Sequence, residues 1–515
     1  MSLPLHQLLD QFLPDVTLPP HLAALPVNAL CLDSRTVSAG DTFVALSGQQ
    51  HDGRAYMADA VRAGATLVLA DGERSDVSES GLQGVPVVTV PALRAQLGYL
   101  AARLHGEPGR AMTVIGVTGT NGKTSTTWFL ADALNAAGHA CALIGTLGVR
   151  FNDLQADLGH TTPDPISLQR ALAACRDRGA RALVMEVSSH ALDQGRLNGT
   201  PVAVAVFTNL SRDHLDYHGD MDRYFEAKAR LFDGQALSLA VINLDDPAGR
   251  HLRARLPARL PCITFGDHAE ALVRCSELSV NAEGMAFVLS VAGESVTVRV
   301  PLYGRFNLEN LMAVAAVLYG MGMDAAAIAA GLNAVTPVPG RMQPVRLPTE
   351  QMPSAAAKLP VVLVDYAHTP DGLEKALSAV RAHFSGALHC VVGCGGNRDT
   401  GKRAEMAAIA ERLADRLVFT SDNPRFEAPE AILADMQAGL TDQTAAQIIV
   451  DRAEAIRLAI QQASSDDVVL VAGKGHETYQ EISGHRYPLD DRELARAALI
   501  SAAQHAAAPT QRRPL

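Results

Sequence analysis

The chain has no Cys-x-x-Cys pair, no run of 18 apolar residues and no excess of positive charge, and each absence removes a class of function. Its seven cysteines (31, 141, 175, 262, 275, 390 and 394) are odd in number and scattered, which excludes a disulfide framework and a four-cysteine zinc site and points to a reducing cytoplasm. Lys plus Arg number 44 against 55 Asp plus Glu, a net charge of −11, so neither a nucleic-acid groove nor an acidic membrane is an expected partner. An anionic ligand must then be held by local geometry. The start, "MSLPLHQLLDQFLPD", has no basic segment leading into an apolar one, so neither export nor membrane insertion is expected. No short repeat recurs.

What is present is an alternation of strand-length apolar runs with helical patterns, the signature of an α/β fold with helices covering parallel sheets. At 515 residues the chain exceeds what one core supports. Two joints divide it. "GEPG" (106–109) follows the strands "DTFVALS", "ATLVLAD" and "VPVVTVP" and the helix-like "ALRAQLGYLAARLH"; "TPVPGRMQP" (336–344) follows a helical stretch at 307–321. The expected domains are 1–108, 109–338 and 339–515. The middle one has further strands at "AMTVIGVTG", "RALVMEVSS", "VAVAVFTNL" and "LAVINLD". Its end, 273–301, alternates with turn residues and reads as an appended antiparallel meander. The last domain repeats strand and helix through "PVVLVDYA", "LHCVVGCGG", "RLVFTSDNP", "AAQIIVD" and "DVVLVAGKG", a Rossmann-like pattern.

"VIGVTGTNGKTSTT" (114–127) sets glycines between a strand and a helix, with Lys123-Thr124 where the helix begins. Such a loop curls its amides around phosphate oxygens. The lysine can neutralise the β- and γ-phosphates, and the threonine hydroxyl can ligate Mg²⁺. The spacing departs from the usual phosphate loop, which needs glycine at 117, where Val117 stands. Glu186 in "MEVSSHAL" and Asn209, Asp213 and His214 in "FTNLSRDHLDYHG" fall at strand carboxyl ends, the edge where open α/β sheets collect ligands. An ion-paired structural role for Glu186 and a helix-cap role for His214 are the plain alternatives. Lys228 in "YFEAKARLF" reads as a solvated helix lysine, with Tyr224, Leu231 and Phe232 toward a core. "DNPR" (422–425) after "RLVFT" would be explained by a turn whose Asp422 and Arg425 face water.

The form T-G-T-N-G-K-T resembles the Mur ligases and folylpolyglutamate synthases, which activate a carboxylate with ATP and join it to an amine. Further segments fall in order: "LDSRTVSAGDTFVAL", "TTPD", "YGRFNLENLMA", "PGRM", "VDYAHTPDGLE", "GCGGNRDTGKR", "DNPR" and "GKGHE". Over nearly the whole chain these are similar to the diaminopimelate-adding Mur ligases, a family with three α/β domains: one for the UDP-sugar, a P-loop ATPase-like central domain, and one for the amino acid. The resemblance implies contacts to the UDP-muramoyl-peptide from Leu32, Ser34, Gln49, Gln50, His51, His160, Thr161, Thr162, Ser188, Gln194 and Arg196. It implies that Gly119, Thr120, Asn121, Gly122, Lys123, Thr124 and Ser125 hold ATP phosphates, with Asn307, Asn310, Arg341 and Asp365 at the nucleoside. Arg398, Asp422, Asn423, Pro424, Arg425, Gly473 and Glu477 would receive diaminopimelate. Lys123, Glu186, His214 and Lys228 would be catalytic. Thr124, Glu186, His214 and Lys228, the last as a carbamate (N6-carboxylysine), would ligate two Mg²⁺ ions. His160 and "QQH" depart from the commoner Asn and "HQA".

The implied reaction adds meso-diaminopimelate to the D-glutamate γ-carboxylate of UDP-N-acetylmuramoyl-L-Ala-D-Glu, a step of peptidoglycan precursor synthesis, by a monomer in the cytoplasm. ATP phosphorylates the carboxylate, and an uncharged amine attacks the acyl phosphate and expels phosphate. The 336–344 linker would act as a hinge bringing amine and acyl phosphate within about 3–3.5 Å. Two other readings stay open. A folylpolyglutamate synthase should lack the "DSR" segment and the N-terminal unit, and a P-loop switch would not need polar clusters at strand ends of a third domain.

Overall fold

A computed structural model describes residues 2–13, 17–48, 52–347 and 359–507. The chain forms two compact units, 1–274 with 312–331, and 275–311 with 332–515. Among the described residues no helix is long and apolar enough to cross a membrane.

The first unit begins with a sheet in the order Leu30–Cys31, Thr42–Ala45, Leu67–Gly72, Val85–Pro91 and Asp76–Leu82. Its neighbours run parallel except Asp76–Leu82, which returns antiparallel along Val85–Pro91 and had no clear signal in the sequence. Helix Leu93–Leu104 buries Leu93, Leu97, Leu100, Ala101 and Leu104, one face at helical spacing, against Leu67, Leu69, Val88 and Val90. Gly98 on that helix lets the turn at Asn198 close in, because a Cβ there would lie 1.9 Å from the Asn198 carbonyl oxygen.

The second sheet of this unit runs Leu154–Ala156, Gly148–Phe151, Cys141–Gly145, Ala182–Glu186, Thr113–Thr118, Val202–Phe207, Leu239–Asn243 and Cys262–Phe265. From Cys141–Gly145 onward neighbouring strands are parallel, so the carboxyl ends of Thr113–Thr118, Ala182–Glu186 and Val202–Phe207 share one edge. That edge carries the 119–122 loop, Glu186 and Asn209.

The second unit opens with the expected meander, where Gly284–Val291 and Glu294–Val300 pair antiparallel from Met285↔Val300 to Val291↔Glu294. Its main sheet runs Gln343–Pro344, Val361–Asp365, Val468–Ala472, Leu388–Val392, Arg416–Phe419 and Ala446–Ile448. Period-two alternation decides which helices cover which face. Val468, Leu470 and Ala472 pack with the helices Pro370–His383, Gly401–Leu413 and Pro429–Gln437, whereas Val469 and Val471 pack with Arg452–Gln462 and Asp491–Ala507. Part of the expected linker is strand: Gln343 and Pro344 pair antiparallel with Val364 and Leu363. A hairpin of Tyr479–Ile482 and His485–Pro488, unmarked by the sequence reading, follows "GKGHE".

Candidate active site

The phosphate loop owes its shape to glycines at left-handed or otherwise open φ and to the neighbouring strand end. Gly119 has φ +145° and Gly122 φ +84°, and a Cβ on Gly119 would sit 1.9 Å from the Thr208 hydroxyl. The Thr120 amide donates to the Asn209 carbonyl at 2.9 Å, the Asn121 amide to Asn209 Oδ1 at 2.9 Å, and Thr208 Oγ1 donates to the Asn121 carbonyl at 2.7 Å. Val117 belongs to the buried strand Thr113–Thr118, which accounts for the missing glycine: the loop opens after Thr118. Two of the seven expected phosphate contacts, the amides of Thr120 and Asn121, therefore serve the loop's own conformation. The first-turn amides of helix Lys123–Ala136 have no intrahelical acceptor, which makes this end suited to an anion.

Lys123 Nζ folds back onto the carbonyls of Gly119 (2.9 Å) and Thr120 (2.8 Å). The Gly119 carbonyl also accepts from Lys228 Nζ at 2.7 Å. Lys228 is only 1% exposed, which corrects the solvated-lysine reading; Tyr224, Leu231 and Phe232 are buried as expected. The amphipathic pattern of "YFEAKARLF" gave the helix its buried face, but that face also turns Lys228 inward. Burial, and next the nearby Lys123 ammonium, push the Lys228 ammonium well below the ordinary lysine range, with Asp213 opposing weakly.

Glu186 is buried and accepts from the Thr124 hydroxyl at 2.9 Å, the Thr146 amide at 2.7 Å and the Thr146 hydroxyl at 3.3 Å. These contacts are hydroxyl and amide bonds, in place of the ion pair given as the plain alternative. A Cβ at Gly145 would reach 2.3 Å from Glu186 Oε1, so glycine keeps the carboxylate's place open. The Thr124 hydroxyl beside a carboxylate is an oxygen donor set of the kind Mg²⁺ accepts, with phosphates and water supplying the rest. Among the described residues no group of three or more His, Cys, Asp or Glu could hold a metal alone. Of the four expected ligands, the structure brings Thr124 and Glu186 together. His214, at φ +52° and 3.4 Å from Asp213, stacks edge-on to His190, and makes no side-chain cap to the helix it precedes.

The residues expected at the muramoyl-peptide form a chain of bonds to the same carboxylate segment. Thr162 Oγ1 donates to the Glu186 carbonyl (2.9 Å) and accepts from the Ser188 amide (3.0 Å); Arg196 donates to the Thr162 carbonyl (2.8 Å) and to Gln194 Oε1 (2.8 and 3.0 Å). Thr161 meets Thr146 at 3.1 Å, and His160 is exposed. Leu32 and Ser34 flank Asp33, whose carboxylate caps the turn Ser34–Thr36. Gln49, Gln50 and His51 lie outside the described residues. Thr146, Ser211 and Tyr224, all bonded into this edge, were not singled out from the sequence as site residues; they become visible only through the pairing of distant strands.

In the second unit, Asn307 and Asn310 lie buried on one face of helix Arg305–Gly320, 3.3 Å apart. Buried Asp365 accepts from the amides of Met342 (2.7 Å) and Ala367 (2.9 Å), and Arg341 lies over the Tyr366 ring at 4.7 Å. Burial raises the Asp365 carboxyl, with Arg341 and the two amides opposing.

"DNPR" is not a water-facing turn. Asp422 and Asn423 are buried. Asn423 donates to Glu477 Oε2 (2.8 Å), while its Oδ1 accepts from Lys474 Nζ and the Glu481 amide, each at 2.9 Å. Lys474 also pairs with Glu477 at 2.8 Å. Arg425 adopts φ +53°, and its backbone is held to the hairpin by its amide on the Glu481 carbonyl (3.0 Å) and by the Ser483 amide on its own carbonyl (2.6 Å). Its Nη1 donates to the Gly396 carbonyl (2.8 Å) and its Nε lies 3.4 Å from Glu481. A side chain at Gly395 would stand 3.0 Å from Arg425 Nη1 and 4.0 Å from Arg398 Cγ, so both side chains border Gly395; Arg398 is exposed. Lys474 and Glu481 were not singled out from the sequence because their contacts to "DNPR", at Asn423 and Arg425, lie 51 and 56 residues away along the chain.

Three family models match the chain: a Mur ligase family catalytic domain over 26–105, a Mur ligase middle domain over 117–318, and a Mur ligase glutamate ligase domain over 340–475. A UDP-N-acetylmuramoyl-L-alanyl-D-glutamate–2,6-diaminopimelate ligase from Xylella fastidiosa is 47% identical over 96% of this chain and 97% of its own length. One of the same name from Xanthomonas oryzae pv. oryzae is 48% identical with the same coverage. A solved structure of a ligase with that name superposes with a TM-score of 0.69 at 36% identity, over 98% of this chain and 100% of the other.

Proposed function

The chain belongs to the Mur ligase family, and from that premise we propose the reaction it performs: ATP-dependent addition of meso-2,6-diaminopimelate to the D-glutamate γ-carboxylate of UDP-N-acetylmuramoyl-L-Ala-D-Glu. The protein is an acid–amino-acid ligase of peptidoglycan precursor synthesis that uses ATP. The observation that carries the chemistry is the Thr124 hydroxyl on Glu186 at 2.9 Å, at the mouth of the phosphate loop and on the strand edge shared with Thr162 and Ser188.

A carboxylate is a poor electrophile, so its oxygen first attacks the γ-phosphorus of ATP and ADP leaves. The amides of the first turn of Lys123–Ala136 bind phosphate oxygens. Lys123 exchanges the Gly119 and Thr120 carbonyls for the γ-phosphate and offsets its charge. Thr124 and Glu186 would hold Mg²⁺, which would neutralise phosphate charge. Thr162, Ser188, Gln194 and Arg196 orient the muramoyl-peptide carboxylate. The free amine of diaminopimelate then attacks the acyl phosphate carbonyl; the tetrahedral adduct collapses, the C–O bond to phosphate breaks, and the amine proton leaves to solvent or base. Lys228, whose ammonium is pushed well below the ordinary lysine range by burial and by Lys123, is the residue whose neutral form would add CO₂ and become a carbamate, replacing a cation with an anionic oxygen pair. Asn307, Asn310, Arg341 and Asp365 form the nucleoside contacts. Arg425 and Arg398 receive the distal carboxylate of diaminopimelate, and Asp422 and Glu477 its ammonium groups, in a cytoplasmic enzyme.

Incubating the protein with ATP, Mg²⁺ and the UDP-dipeptide, with diaminopimelate or L-lysine, tests the reading. UDP-tripeptide should form with one phosphate released per amide, and diaminopimelate should be preferred. Phosphate release independent of either co-substrate would overturn it in favour of a nucleotide switch.

A further inference from the structure

We infer that Arg452, buried beneath the carboxyl edge of the second unit's sheet, is a positioning residue that sets the spacing of the two loops receiving the amino acid. The inference rests on the proposed diaminopimelate site above. "DNPR" follows the strand Arg416–Phe419, and "GKGHE" follows Val468–Ala472, but these strands are not neighbours: Leu388–Val392 lies between them. No ladder hydrogen bond joins them; Asn423 ties the loops themselves together through Lys474 and Glu477, and the loop bases need a second device beneath it.

Arg452 is that second device, at the loop bases. It is 1% exposed and is the first residue of helix Arg452–Gln462. Its Nη1 donates to the Ser421 carbonyl at 3.2 Å and its Nη2 to the Ala472 carbonyl at 3.0 Å. Those carbonyls immediately precede Asp422 and Gly473. Asp491, fully buried at the start of helix Asp491–Ala507, accepts from Arg452 Nε and Nη2, each at 2.7 Å, and so sets the plane of the fork. The tolerance at the loops is small: a Cβ on Gly473, at φ +118°, would lie 2.7 Å from Asp422 Oδ2. A buried Arg–Asp pair gives little net stability over apolar residues of equal volume, so its value lies in the geometry it imposes. A lysine would keep the charge opposite Asp491 but has no planar fork to reach both carbonyls at set angles.

Arg452→Lys in the full-length protein is the direct test, with steady-state kinetics varying each substrate. The expected result is a KM for diaminopimelate raised about ten- to a hundredfold, since misplacement of about 1 Å costs on that order. KM for ATP and for the UDP-dipeptide should stay within about twofold, and the far-UV circular dichroism should be unchanged. An unchanged KM for diaminopimelate, or an equal rise in all three constants, overturns the inference. Should Arg452→Lys fail to fold, the double variant Arg452→Met/Asp491→Leu removes both buried charges at once and carries the same expectation; a wild-type KM for diaminopimelate there would overturn it. A wild-type protein that makes no tripeptide overturns the proposed reaction and the inference together, whereas an active wild type with unaffected variants overturns the inference alone.

Discussion

Lys228 in the first unit and Lys474 in the second are both almost wholly buried, at 1% and 0% exposure, yet their surroundings are opposite. Lys474 Nζ meets a carboxylate, Glu477, and the amide oxygen of Asn423. Lys228 Nζ meets a neutral carbonyl, with another ammonium close by. Burial penalises a charge, and the partner decides whether the charge survives. The second lysine pairs with a carboxylate, while the first has its ammonium pushed well below the ordinary lysine range. The difference is one of partners, since both stems are equally enclosed.

The comparison breaks most visibly at Lys228. Lys228→Met should lower tripeptide formation on the order of a hundred- to a thousandfold, the scale for removing a group that stabilises transition-state charge. Its thermal midpoint should not fall, because the variant removes a buried group whose charge is penalised by burial and by Lys123 more than Asp213 offsets. A drop of several degrees would make Lys228 a structural cation like Lys474.

Next in size is Lys474→Met, which should destabilise by about 2–3 kcal/mol, read by urea denaturation, because half-buried Glu477 loses its cation, though it keeps Asn423, and Asn423 Oδ1 loses a charged donor. Adding Glu477→Gln should recover most of that. A double variant as unstable as the single would show that the ion pair is not the cause.

Arg425→Lys should reduce kcat/KM for diaminopimelate by about 1.5–3 kcal/mol, roughly ten- to over a hundredfold, as a point charge replaces a planar fork. The effect is held to that range because the lysine still carries a positive charge at this position, beside Glu481. An unchanged KM for the amino acid would remove Arg425 from the site.

The smallest effect is on pH dependence. A lysine whose ammonium is pushed below its unfolded value binds fewer protons folded than unfolded, so its contribution to stability improves as pH rises from the lowered value toward 10.5, by at most about 1.4 kcal/mol per unit. In buffers purged of CO₂, the advantage of Lys228→Met over the wild type should therefore shrink with rising pH, and a pH-independent gap would contradict the assignment.

The phosphate loop, the strand ends carrying Glu186 and Asn209, and the alternation of strand and helix were legible because each is a local pattern: glycine before Lys-Thr, or a run of apolar residues ending in polar ones. The hairpin Tyr479–Ile482 with His485–Pro488 was not, because three of its four Tyr479–Ile482 residues are only half buried and all of His485–Pro488 is exposed, which leaves little apolar alternation to read. Lys228 was misjudged because its helix is amphipathic either way; what turns the lysine inward is the Gly119 carbonyl, 109 residues distant. "DNPR" looked like a turn because Asn-Pro does make turns, and nothing nearby announced Lys474, Glu477 or Glu481.

Sequence alone determined the class of fold, the phosphate loop and the ordered motifs that mark a Mur ligase, since these depend on residue type and spacing over short stretches. Only the tertiary structure decided the electrostatic character of individual groups: that Thr124 bonds Glu186, that burial beside Lys123 disfavours the Lys228 ammonium, that Glu481 holds Arg425, and that Arg452 ties two non-adjacent strand ends. Charge states and registry depend on which distant groups come within about 3 Å in a low-dielectric interior, and that information resides in the packing of strands and helices.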